Sequence, residues 1–186
     1  GPFGQALACG SLLTAPLDQV FFGFFSMNPF EILIWLTLAF VLAEVELRSE
    51  PRLWMAFGLV AGIGLQNQHA TLLLALALAP ALLLTPARRH LRGRWLWAGL
   101  AVALLLLLPN LIWQAAYGFP SVELYHNADV HKNVPTPPLQ ALGLQVLMMS
   151  PGTLPVWLAG LVALLRRRDL RHVGVMCLVL LAATVI

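Results

Sequence analysis

Three places in an otherwise apolar chain hold residues that can do chemistry. Glu31 stands at the start of an apolar run, where a carboxylate can bind an acceptor hydroxyl or a cation, or simply sit at a helix start favoured by the dipole. Asp18 carries the same ambiguity with weaker support. Gln66-Asn67-Gln68-His69 separates two apolar half-runs. A polar tetrad there is either a capped turn or a donor cluster facing a phosphate or sugar, with His69 able to supply a proton or a charge-assisted hydrogen bond. Third, Trp113, Tyr117, Phe119 and Tyr125 interleave with Gln114, Glu123, His126, Asn127, Asp129, His131 and Lys132. Aromatic faces suit the C–H faces of a sugar, and amides and acids suit its hydroxyls. The plain alternative is an interfacial aromatic belt beside a solvated loop. His126, Asp129 and His131 match no strong metal-ligand spacing, so no metal site is assigned and a divalent cation is left open as a cofactor.

The elements that must position these residues are membrane helices. Sixty per cent of the 186 residues are hydrophobic and 10% are charged, so a soluble globule of this length could not hide its apolar surface. The apolar runs are helix-length and lack the alternation of outer-membrane strands, which predicts an all-α, polytopic transmembrane bundle in a single domain, 1–186. Pro29 fits the first turn of a helix with Asn28 as its N-cap, running to about Leu47. Residues 53–84 are too long for one straight span, so the 66–69 interruption predicts a turn between two short helices. Trp95 and Trp97 open the next span at the interface, and that span ends around Pro109 to Trp113. An extracytoplasmic loop over about 114–138 follows, then a helix from Leu139 to Met149 and a crossing completed by Val156 to Leu165. Cys9 and Cys177 lie in apolar runs and read as buried packing residues. With no initiator Met and an apolar run still open at Ile186, the chain reads as part of a longer protein.

Charge sets the expected orientation. Ten of the eleven Lys and Arg residues fall in three connectors, Arg48 and Arg52, Arg88 to Arg94, and Arg166 to Arg171. Alternating spans put all ten on one face, which the positive-inside rule makes cytoplasmic. Glu31, the 66–69 turn and the 109–138 segment then share the extracytoplasmic face of a cell membrane. The net charge of +3 reports orientation and requires no nucleic-acid partner. No phosphate-binding glycine loop, nucleophile elbow or zinc-protease motif occurs, which disfavours a nucleotide-driven pump. Left open are an enzyme drawing its substrate from the lipid, a transporter or flippase for a lipid-linked amphiphile, and a non-catalytic membrane scaffold.

The succession SMNPFEILIW, GLVAGIGLQNQHATLLL, TPARRHLRGRWLW, LPNLIWQAAYGFPSVELYHN and QVLMMSPGTLPVWLAGL resembles bacterial glycosyltransferase family 39, over about Asp18 to Arg171. These are relatives of protein mannosyltransferases and of the aminoarabinose transferase that modifies lipid A. The resemblance implies a GT-C fold that moves a sugar from a polyprenyl-phosphate carrier to an extracytoplasmic acceptor. It also implies a catalytic base in a loop upstream of Gly1, so the chain is not expected to be active alone. Glu31, or as the second choice Asn28, matches the family's acidic position at the extracytoplasmic start of a span, and Glu31 is the catalytic candidate. Gln68 stands where relatives carry a Lys taken to hold the carrier phosphate, which puts phosphate binding by this turn in question, because an amide brings no counter-charge. His69, His126 and Lys132 are the substitutes around the phosphate. Trp113, Tyr117, Glu123, Tyr125 and Asn127 complete the expected donor-binding set.

Overall fold

The computed structural model describes residues 1–131 and 136–183, without the side chains of Asp129 and His131. Among these residues the chain is all-α, as its composition predicts. Ten α-helices follow in order: α1 (Pro2–Thr14), α2 (Pro16–Phe22), α3 (Met27–Leu47), α4 (Leu53–Asn67), α5 (Thr71–Leu83), α6 (Arg94–Ala116), α7 (Pro120–His131), α8 (Pro138–Met148), α9 (Leu154–Arg166) and α10 (Arg171–Ala183). A 3-10 helix, Pro86–Arg92, separates α5 from α6, and a 3-10 turn, Pro151–Thr153, separates α8 from α9.

Local chemistry explains most boundaries. Proline opens α1, α2 and α8 within the first turn, where its missing N–H costs nothing. In α3 the cap is Ser26 rather than Asn28: the Ser26 Oγ accepts from the Asn28 N–H at 3.3 Å, which leaves Asn28 inside the first turn. The 53–84 stretch breaks at 68–70, between α4 and α5, as its length requires.

Two expectations are corrected. First, α6 runs through Pro109 to Ala116, and its 23 residues make it long and apolar enough to cross a membrane by itself. Proline removes one internal hydrogen bond, a loss an apolar helix of this length tolerates. Second, the expected loop over 114–138 is largely helical, because α7 occupies Pro120–His131. The helix expected over Leu139 to Met149 is separate from the one that follows it: α8 and the segment Pro151–Arg166 meet at 89°. The corner lies at Ser150, whose φ of 68° is left-handed. Cys9 is exposed on the bundle surface and Cys177 is half-buried.

The core joins Leu38, Leu42 and Val45 of α3 with Trp54 and Phe57 of α4, Leu74 to Leu82 of α5, and Val173 and Met176 of α10. α4 lies between α3 and α6, and α10 packs on α5 and α9. The α4/α6 crossing is backbone on backbone. A Cβ on Gly58 would lie 1.9 Å from the Gly99 carbonyl oxygen, and one on Gly99 would lie 2.1 Å from that of Trp54.

This packing sorts the polar residues between two ends. At one end Glu46 of α3 pairs with Arg89 and His90, Arg52 and Arg94 lie over the Trp95 ring, and Arg168 and Asp169 line a cleft with Glu46 and Arg89. At the other end Glu31 of α3 meets Asn67 of α4 and Thr71 of α5. The connectors holding the arginines and the polar 66–69 turn are therefore at opposite ends of the bundle.

Candidate functional site

Glu31 lies one turn into α3 and is buried. Its Oε1 accepts from the Trp35 indole N–H at 2.6 Å and from the Thr71 hydroxyl at 2.9 Å. Its Oε2 accepts from the Asn67 amide at 3.2 Å, and the same amide nitrogen donates to the Met27 carbonyl at 3.0 Å. One carboxylate thus joins the first turn of α3, the last turn of α4 and the first turn of α5. Among the described residues no Lys, Arg or His pairs with it, so neutral donors alone satisfy its charge. A carboxylate has about four acceptor positions. Two donors meet Oε1 and one meets Oε2. Gly64 makes the arrangement fit, because a Cβ there would lie 2.7 Å from the Thr71 hydroxyl oxygen and 2.8 Å from the Ile34 side chain.

The break beside this carboxylate is itself hydrogen-bonded. Gln68 leaves α4 in an extended conformation while its N–H still donates to the Gly64 carbonyl at 2.8 Å. The carbonyls of Gln68, His69 and Ala70 then accept from Thr71, Leu72 and Leu73 at 3.3, 2.9 and 2.9 Å, so α5 starts as a tight turn. The backbone around His69 is held, and its Nδ1 lies 3.2 Å from the Tyr125 hydroxyl of α7, with the two rings edge to face at 6.1 Å. Gln66 reaches the other way and donates to the Leu106 carbonyl at 2.6 Å. That oxygen is next to the Leu105 carbonyl, which Pro109 leaves without its helical donor.

Gln114 builds the corner between α6 and α7. Its side chain bonds both the hydroxyl and the backbone N–H of Ser121, the latter at 3.2 Å, and its carbonyl accepts from the Phe119 N–H at 2.7 Å. Gly118 and Phe119 both take left-handed backbone angles, φ 72° and 59°, which turns the chain back within three residues. Trp113 and Tyr117 stack at 5.3 Å on the outside of this corner. Glu123, His126 and Asn127 are exposed along α7. Lys132 lies outside the described residues.

Of the residues singled out in the sequence, the fold therefore joins His69 to Tyr125 and Trp113 to Tyr117, and places Gln68 directly after the Asn67 that holds Glu31. No contact joins Glu123, His126 or Asn127 to the Glu31 cluster among the described residues. Trp35 and Thr71 were missed. Trp35 was findable, because it lies four residues after Glu31 on one helical face.

The family of dolichyl-phosphate-mannose-protein mannosyltransferases matches residues 3–113, more than half of the 186. The chain belongs to this family. Its function is thereby that of a membrane glycosyltransferase of the mannosyltransferase kind. No curated protein matches the chain, and no solved structure does. The mannosyltransferase match takes in Glu31, the 68–70 break and most of α6, and it ends at Trp113. It does not extend over α7 to α10, where the resemblance read from the sequence continued to Arg171. Within the mannosyltransferase part, the Glu31 cluster and the break are the polar features at the end opposite the arginines.

Proposed function

We propose that this chain forms the central membrane part of a transferase that takes a sugar from a polyprenyl-phosphate carrier and gives it to an acceptor on the extracytoplasmic side. The observation that carries this proposal is the buried Glu31 carboxylate, held by neutral donors from α3, α4 and α5, beside a break whose histidine contacts α7. The reaction breaks the bond between the anomeric carbon and the carrier phosphate and forms one to the acceptor oxygen, with inversion. The hydroxyl proton goes to a carboxylate base. Glu31 holds a hydroxyl of the acceptor or of the sugar at Oε2. The carrier phosphate meets Gln68 and His69, with His126 and Lys132 contributing from the α7 side, and Trp113, Tyr117 and Tyr125 offer aromatic faces to the sugar, rimmed by Glu123 and Asn127. The arginine end faces the cytoplasm of the cell membrane.

The test is transfer from a polyprenyl-phosphate sugar by the full-length protein in which Glu31→Gln or His69→Ala is introduced. Glu31→Gln keeps the shape of the cluster, so a fall in kcat of about 100-fold with the protein still inserted fits a role at the reacting groups. Unchanged turnover in both variants refutes the assignment.

A further inference from the structure

The arginine end contains a second buried carboxylate that the transfer reaction does not use. Glu46, on the last turn of α3, accepts from the Arg89 guanidinium and lies 2.7 Å from His90 Nε2. These two bonds fasten the 3-10 helix Pro86–Arg92, which leaves α5 at 108° and so runs across the end of the bundle. Ala87, within this helix, is buried. Of the three arginines on this helix Arg89 is paired with Glu46, and the other two are Arg88 and Arg92. Neither has a side-chain hydrogen bond or ion pair among the described residues.

Arg88, Arg89 and Arg92 line a cleft of about 620 Å³ together with Leu83, Pro86 and Leu91. Among the described residues no carboxylate lines it, and Glu46 offsets only Arg89. Two uncompensated guanidiniums therefore stand beside apolar surface, with Leu83 61% exposed at the last turn of α5. We propose that this cleft binds the phosphate of an anionic phospholipid headgroup, with Leu83 and Leu91 against the start of its acyl chains. Guanidiniums match phosphate oxygens in a planar, two-pronged geometry, and basic pockets at the ends of membrane helices suit anionic headgroups. A free phosphate ion would gain nothing from the leucines, which is why a lipid is favoured over a soluble anion.

The experiment is native mass spectrometry of the full-length, detergent-purified protein with added phosphatidylglycerol or phosphatidylcholine. The expected result is retention of phosphatidylglycerol over phosphatidylcholine, and about a tenfold or greater loss of that preference in the Arg88→Gln/Arg92→Gln double variant. An Arg48→Gln/Arg166→Gln variant removes the same charge from the other connectors and retains the preference. Equal retention of both lipids by the wild type, or an equal loss in the two double variants, overturns the proposal. Displacement of phosphatidylglycerol by millimolar inorganic phosphate overturns the lipid as the source of the bound phosphate. Because the readout is lipid retention, it is independent of whether the protein transfers a sugar.

Discussion

Gly58 of α4 and Gly99 of α6 meet with no room for a side chain between them: a Cβ on Gly58 would fall 1.9 Å from the Gly99 carbonyl oxygen and 2.7 Å from its Cα. The obstacle is backbone, which cannot rotate away as a side chain would. Gly58→Ala is therefore expected to force α4 and α6 apart, at a cost of about 3 kcal/mol or more. Gly143→Ala on α8 meets nothing within 4 Å and is the matched control, neutral or slightly stabilising. Tryptophan-fluorescence melting of the detergent-purified protein reads both. A Gly58→Ala melting point equal to wild type contradicts the close seam.

The buried Glu46 behaves differently from its partners. Its side chain is 4% exposed, while that of Arg89 is 64% exposed. Glu46→Ala leaves His90, 12% exposed, and the Arg89 head without their acceptor, and is expected to cost about 3 kcal/mol. Arg89→Ala leaves Glu46 still bonded to His90 and removes a group that water already reaches, so it is expected to cost about 1 kcal/mol. The order of the two melting-point shifts decides the matter, and a larger loss for Arg89→Ala contradicts it.

Tyr125 is tied to the break by its hydroxyl and by its ring. Tyr125→Phe removes the first and keeps the second, at about 0.5–1 kcal/mol. Amide hydrogen exchange is expected to speed up in α7 while α4 stays unchanged. Equal exchange in wild type and variant would show that the bond to His69 does not hold α7.

Gln68 offers an amide where the family resemblance expects a Lys. If the carrier phosphate lies at this break, Gln68→Lys in the full-length protein replaces a neutral hydrogen bond by a charge-assisted one. KM for the polyprenyl-phosphate sugar is then expected to fall about tenfold at similar kcat. A rise in KM would place the phosphate elsewhere.

Much of this arrangement was legible in the chain, and the rest was hidden for identifiable reasons. The division of 53–84 followed from length alone, and the gathering of the arginines at one end followed from counting connectors. Ser26 was passed over as a cap because Asn28 competes for the same role two residues on, and both types cap well. The span expected to end around Pro109 to Trp113 was cut short because proline is a helix breaker in water, whereas a long apolar helix carries it. α7 looked like loop because its residues are polar, although Pro120 at its first position and Glu123 in its first turn are the signals of a helix start. Glu46 drew no notice in the sequence, since nothing local reveals that Arg89 and His90, more than 40 residues later, fold back to meet it. The Glu31 cluster was half legible: its acid and its amide were singled out, and their meeting needed the hairpin of α3 and α4.

α3 is held at both of its ends by carboxylates whose partners belong to other elements: Glu31 by Asn67 and Thr71, and Glu46 by Arg89 and His90. The two anchor points are separated by about 22 Å along the axis, at 1.5 Å per residue. A helix riveted at two depths cannot piston or swivel by a turn without breaking both sets of bonds together. It acts as a strut of set length that keeps the Glu31 end and the arginine end in register, and any larger motion falls to the parts not fastened to it.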